Sequence, residues 1–271
     1  NGMSKFLTET DKNLPSKIPL VNLSTILTIQ PSHLPIVNTR DRPEYSVFTG
    51  RNGYVPTYFS NPNKYILHYA FHKANLENII SYCTIRPNMN LFLCGVYSDN
   101  CELYPLYQIL NRIKTNPLDL RFTSLSPYAC MTYVHEEEVA NAVFKSILYL
   151  ADKYGHYHMT VGQNRPVNFY DLHYKAHRLF HGNEQDIPLI KVPKIVAKSA
   201  VALKNTISGP NNFFRPWSVD LLSDITYNVD PTNDIGWMPT RYMLDDLGDM
   251  VQNSKKENWE HLNEARGIGR F

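Results

Sequence analysis

Short apolar runs alternate with helix-periodic stretches along most of this chain, and that alternation limits the folds open to it. IPLVNLSTI (18–26) is apolar and β-branched, long enough for one buried strand and too short for most helices. From Tyr65 to about Tyr82 the period becomes helical, with Leu67, Ala70, Phe71, Ala74, Leu76 and Ile79 or Ile80 forming one stripe. NLFLCGVY (90–97) reads as a second buried strand. A helix at 103–114, a short strand near 131–134, a helix at 136–151, a strand at 157–162 and a helix at 168–181 follow. Residues 4–13 read as the end of a helix, and 192–205 as an unusually apolar one whose Pro193 suits a first turn. A turn at 230–239 precedes a final helix over 243–256. Strands separated by helices argue for α/β layers around a parallel sheet, since parallel neighbours need a crossover.

Composition removes several classes of function. With 43% hydrophobic and 19% charged residues the chain is globular rather than disordered. A formal charge of +2 gives no general attraction to nucleic acid or an anionic membrane. Cys83, Cys94, Cys101 and Cys130 are irregularly spaced with no CxxC pair, which argues against a metal site and for reduced thiols in a cytoplasmic protein. No secretory leader is recognisable, and no apolar run approaches the ~20 residues of a membrane span.

Residues 30–64 are rich in Pro, Asn, Gly and Ser and read as a long surface excursion, a kind of loop that often borders a binding site. Its cluster Gly50–Arg51–Asn52–Gly53 is the nearest thing to a glycine-rich phosphate turn. Such a turn should join a strand to a helix whose amides hold a pyrophosphate, and no convincing strand precedes this one.

Tyr69 and Lys73 stand four apart, on one face of the expected helix. A phenol with a pKa near ~10 is a poor acid or base at neutral pH. A lysine cation one turn away favours the phenolate. A hydroxyl at the end of the preceding strand, Ser24 or Thr25, can hold a substrate oxygen while the phenol exchanges a proton with it. Hydride would then pass between that carbon and a bound nicotinamide.

In this order of parts the chain resembles the extended short-chain dehydrogenase/reductase family over nearly its whole length. VNLSTI looks like the strand bearing the catalytic Ser or Thr, with Thr25 the better fit, and YAFHK like the Tyr-x-x-x-Lys motif. CGVYSDN (94–100) resembles the Val-Tyr-Gly-Pro-Gly segment, and TYVHEEEVANAV (132–143) the Val-His-Val-Asp-Asp-Val-Ala stretch. YHMTVGQNRPVNFYDL and DPTNDIGWMP resemble the C-terminal strand–helix and the Gly-Trp-x-Pro turn. The resemblance implies a Rossmann-like doubly wound parallel sheet over 1–155, interleaved with a smaller α/β substrate-binding region over 156–271. It also implies NAD or NADP as cofactor, a small-molecule substrate, and Thr25, Tyr69 and Lys73 as catalytic residues, with Tyr69 and Lys73 also contacting the nicotinamide ribose. Trp237 and Pro239 would pin a turn, and His135 would pack beside the sheet.

Three departures shape the remaining expectations. The family's N-terminal half with its glycine-rich turn is not recognisable, so a preceding segment or a second chain is expected to complete the sheet, with a homodimer as one form. The stretch between Thr25 and Tyr69 is longer than is usual in the family. The family's Arg-Pro pair near the nicotinamide has no clear counterpart: Arg86–Pro87 comes too soon after Lys73, and the register puts Phe92–Leu93 there. Cys94, Arg165, Arg215 and Trp217 are candidates for substrate contact. The apolar 192–205 stretch and Phe213–Phe214–Arg215–Pro216–Trp217 point to the sterol- and lipid-acting branch near the 3β-hydroxysteroid dehydrogenases, as does the apolar pair Cys130–Met131 in place of Arg-Asp. The other expectations are a nucleotide-sugar epimerase or dehydratase, and a non-catalytic subunit derived from the family.

Overall fold

The computed structural model describes residues 2–28, 32–36, 49–50, 53–54, 68–100, 106–115, 122–123, 130–182, 190–208, 219, 227–229 and 235–256. In chain order its helices are α1 (Gly2–Asn13), α2 (His68–Cys83), α3 (Leu106–Thr115), α4 (Glu136–Leu150), α5 (Phe169–His181), α6 (Lys194–Ser208) and α7 (Met243–Lys256). Three strands, β1 (Leu20–Thr25), β2 (Asn88–Leu93) and β3 (His156–Val161), form a parallel sheet in that order. Their register is unbroken: Leu20, Asn88 and His156 lie abreast at one end, Thr25, Leu93 and Val161 at the other. The expected parallel α/β architecture is therefore present.

The pleat shows how the helices cover this sheet, because successive side chains point to opposite faces. Ser24 donates to Glu77 of α2, while Tyr157, a register neighbour of Met89, meets Tyr149 of α4 edge-on at 5.7 Å. Ser24 and Tyr157 belong to opposite faces, so the two crossover helices sandwich the sheet. On the Ser24 face the strands carry Asn22, Asn88, Asn90, His156 and His158. Asn22 Nδ2 donates to Asn90 Oδ1 at 2.8 Å, and the Asn88 amide meets the His156 ring at 2.6 Å. A sheet covered on both faces normally reads as unbroken Val, Ile and Leu. Here cross-strand contacts between polar side chains tie the three strands to one register, though Asn88 Oδ1 meets no hydrogen-bond partner among the described residues.

Arg86 settles the question raised by the Arg86–Pro87 pair. It lies just before β2, at the opposite end of the sheet from Thr25 and Leu93. Its buried guanidinium pairs with Asp11 at 2.6 Å and donates to the carbonyls of Thr10 and Leu14 at 2.7 Å each, with a further bond to Pro15. These carbonyls belong to the last turn of α1 and the two residues that follow it, so Arg86 ties the end of that helix to the sheet, at the edge away from Thr25 and Leu93.

Two compact units can be distinguished. The first holds 1–95, 134–165 and 227–241, including the sheet; the second holds 96–133, 166–226 and 242–271. In the second, α3, α5 and α7 each present an apolar face. Leu106, Tyr107, Leu110, Ile113, Phe169, Leu172, Ala176, Met243, Leu247, Met250 and Val251 make one buried cluster, spaced as helix periodicity dictates. Asn168 caps α5 by accepting from the Tyr170 amide at 2.8 Å, and Gly182 ends it at φ 83°.

Within the long excursion the described residues form two strand pairings. Ser32–Ile36 pairs in parallel with Tyr227–Val229, and Thr49–Gly50 pairs with Gly53–Tyr54 in a short antiparallel hairpin. The glycine cluster thus closes a hairpin instead of joining a strand to a helix.

Candidate active site

In an open parallel sheet the carboxyl ends of the strands are where ligands bind, because loops diverge there while the strands hold them rigidly. Here that edge is Thr25, Leu93 and Val161. Thr25 is buried; its Oγ1 accepts from the Leu27 amide at 3.3 Å, and its carbonyl accepts from Thr28 at 2.8 Å. This fixes the end of β1 in a one-turn coil, Ile26–Thr28, and leaves the Thr25 hydroxyl hydrogen to be donated.

Helix α2 brings Lys73 to the same strand end. Tyr69 lies in its first turn and Lys73 one turn on. Lys73 Nζ donates to the Leu23 carbonyl at 2.8 Å, and partial burial lowers its pKa from the ordinary value. The ammonium is thereby anchored two residues from Thr25. Tyr69 and Lys73 are four residues apart in α2, one helical turn along its axis.

A further turn along α2 is Glu77, which the sequence reading passed over. It is 1% exposed, accepts from the Ser24 hydroxyl, and its Oε2 meets no hydrogen-bond partner among the described residues. Burial pushes its carboxyl up to about 9, so it is neutral at pH 7. The sequence did carry a signal: Glu77 falls three residues after Ala74 and three before Ile80, on the apolar stripe itself. Ser24 is thus engaged by Glu77, whereas the Thr25 hydroxyl oxygen accepts from the Leu27 amide.

The other candidates occupy varied settings. Phe92 is fully buried, its ring stacked on His158 at 5.7 Å, so its side chain is committed to packing. Leu93 is half-buried at the strand edge. Cys94 continues the strand end, its amide donating to the Val161 carbonyl at 3.0 Å; burial drives its thiol far above the ordinary pKa, so it is inert as a nucleophile. Arg165 is exposed a few residues beyond β3, its carbonyl accepting from Gln163 Nε2 at 2.6 Å. Arg215 and Trp217 lie outside the described residues.

The start of α4 closes another part of the sheet unit. His135 caps that helix through Nδ1, which accepts from the Glu137 amide at 3.3 Å and faces the Arg241 guanidinium at 3.3 Å. Glu138 is more than a favourable charge at a helix start. Its carboxylate accepts from Thr240 Oγ1 at 3.0 Å and the Arg241 amide at 3.0 Å, and its carbonyl from the Trp237 indole at 3.1 Å. Trp237 is fully buried and follows Gly236 at φ 66°, a conformation that favours glycine. The Gly-Trp-x-Pro turn is thus pinned to α4. Among the described residues no group of His, Cys, Asp or Glu is arranged to hold a metal ion, and no helix is long and apolar enough to cross a membrane.

No family profile and no curated protein matches the sequence. Solved structures match its fold. MoeE5 in complex with UDP-glucose and NAD superposes with a TM-score of 0.60 at 8% identity, over 94% of this chain and 70% of its own. A UDP-galactose 4-epimerase gives 0.59 at 12% identity, over 95% and 69% respectively. WbmG of Bordetella bronchiseptica, in complex with NAD, gives 0.59 at 13% identity, over 94% and 64%. The fold is Rossmann-like. This chain is thus similar in architecture to NAD-bound and UDP-sugar-converting proteins while spanning about two thirds of their length.

Proposed function

We propose that this chain carries the proton-transfer machinery of an NAD-dependent enzyme of the extended short-chain dehydrogenase/reductase type, acting on a nucleotide sugar as an epimerase or dehydratase. The observation that carries the reading is the anchoring of Lys73 to the Leu23 carbonyl, on the helix that bears Tyr69 and beside Thr25 at the carboxyl edge of the sheet. NAD, when bound, supplies the hydride acceptor. Thr25 donates a hydrogen bond to the substrate oxygen, and Tyr69 takes the hydroxyl proton as hydride leaves the same carbon. The Lys73 cation stabilises the phenolate and reaches the nicotinamide ribose.

The fold neighbours named for UDP-glucose, UDP-galactose and NAD support a nucleotide sugar as substrate and NAD as cofactor. The sterol- or lipid-acting reading rested largely on residues 213–217, which lie outside the described residues, and on the apolar 192–205 stretch, taken as either a substrate-pocket lid or a partner contact. Its Ile195, Val196 and Leu203 are exposed, which removes that support. Residues 156–271 are assigned mainly to substrate binding. Among the described residues no glycine-rich turn joins a strand to a helix, so the pyrophosphate cradle is assigned to a preceding segment or a second chain that extends the sheet at β1.

The test is turnover of UDP-sugars by the protein as isolated, compared with Tyr69→Phe. The variant should keep NADH binding and lose about 10²–10⁴-fold in turnover. Equal rates for the two proteins would remove Tyr69 from the chemistry. A wild-type protein that binds neither NADH nor a UDP-sugar would replace the enzyme reading with a non-catalytic subunit.

A further inference from the structure

Helix α6 turns its apolar side chains outward. Ile195, Val196, Leu203 and Ile207 are 74%, 52%, 63% and 77% exposed, and at 100° per residue they fall within about 120° of the helix circumference. On a 15-residue helix, about 22 Å long, they form one face with an apolar pair near each end, Ile195 and Val196 at the start and Leu203 and Ile207 at the finish. Ser199, Ala202 and Thr206 share the strip and keep it smooth. Single exposed apolar residues need no explanation, but a strip of four on one helix face marks a contact surface.

The charge around the strip says what it contacts. From Ile187 to Val219 the sequence carries Lys191, Lys194, Lys198, Lys204 and Arg215 and no acidic residue. The whole chain is balanced, 27 basic against 25 acidic residues, so this segment is a local excess of positive charge. Lys204 borders one side of the strip, Lys194 and Lys198 the other. An apolar face with basic margins is the pattern of a helix lying in the plane of a bilayer interface, with its hydrocarbon in the acyl boundary and its ammonium groups among anionic headgroups. A second copy of the chain fits less well, because a two-fold contact along α6 would set its lysines against their own equivalents. We infer that α6 is a membrane-surface docking element, which binds anionic lipid headgroups through its lysines and buries Ile195, Val196, Leu203 and Ile207 in the interface.

The inference is independent of the proposed catalysis and is tested without an activity assay. The full chain is sedimented with vesicles of phosphatidylcholine alone and with vesicles containing 30% phosphatidylserine. Binding to the anionic vesicles should exceed binding to the neutral ones by at least about tenfold and weaken as salt rises. Leu203→Glu/Ile207→Glu should abolish it. Lys204→Gln, at an exposed position on α6, should weaken it about fivefold. Failure of the wild-type chain to bind anionic vesicles overturns the inference, as does equal binding to both vesicle types. Concentration-dependent dimerisation that Leu203→Glu/Ile207→Glu removes, with no vesicle binding, would assign the strip to a second copy instead.

Discussion

The sheet unit is built around buried polar groups, whereas the helical unit is built around an apolar cluster. In the first, Glu77, Arg86, Asn88, Asn90 and Glu138 are all buried, and most of their bonds run between elements. In the second, α3, α5 and α7 meet largely through Leu, Ile, Val, Met, Phe and Tyr, with fewer polar contacts, among them Tyr97 to Asp246 at 2.7 Å and the His181 ring to the Ile113 carbonyl at 2.7 Å. The difference reflects what each must do. Hydrophobic packing holds helices together with tolerance for small shifts, while hydrogen bonds of fixed length hold a strand end and a helix in one relation. The groups proposed to act on substrate lie in the unit that uses the second method.

Mutations that separate the two modes test this contrast. The largest effect is expected from Arg86→Ala, which strands Asp11 and the carbonyls ending α1; urea unfolding should show a loss of about 4 kcal/mol. A loss below about 1 kcal/mol would mean the buried network contributes little and would break the comparison. Leu110→Ala, at the centre of the helical cluster, should cost about 3 kcal/mol through its cavity and leave the pH dependence of stability unchanged.

Glu77→Gln sharpens the contrast through pH. The folded-state value of about 9 lies above the ordinary 4.5, so the folded protein holds a proton that the unfolded chain has lost. The stability associated with this group is fully present below pH 4.5 and drains away as pH rises toward 9, at most about 1.4 kcal/mol per pH unit. The glutamine variant, which cannot ionise, should show a flatter profile of unfolding free energy between pH 5 and 8. Parallel profiles would mean that Glu77 is ionised in the folded protein.

Much of this architecture was legible because it is periodic. The stretch 18–26 contains β1, 157–162 all but the first residue of β3, and 243–256 coincides with α7. The polar half of the sheet was not legible, since Asn22 and Asn90 are each a lone amide in an apolar run until the register sets them abreast. Ser32–Ile36 escaped notice because its partner, Tyr227–Val229, lies at the far end of the chain and no local pattern encodes such a pairing. The run 90–97 was read as one strand, yet β2 ends at Leu93 and Gly95–Tyr97 forms a separate strand. In the site, the spacing of Tyr69 and Lys73 was visible, but the carbonyl that anchors Lys73 and the acid that engages Ser24 come from contacts across 50 and 53 residues. The apolar run 192–205 was correctly taken as a helix, though its sequence could not say that the apolar face points outward.

The most direct test of the account is a fluorescence titration of the isolated protein with NADH, with NADPH in parallel. The account predicts saturable quenching by NADH and weaker or no quenching by NADPH, with Lys73→Met reducing NADH affinity while the fold, followed by circular dichroism, is retained. A folded protein blind to both nucleotides would contradict it.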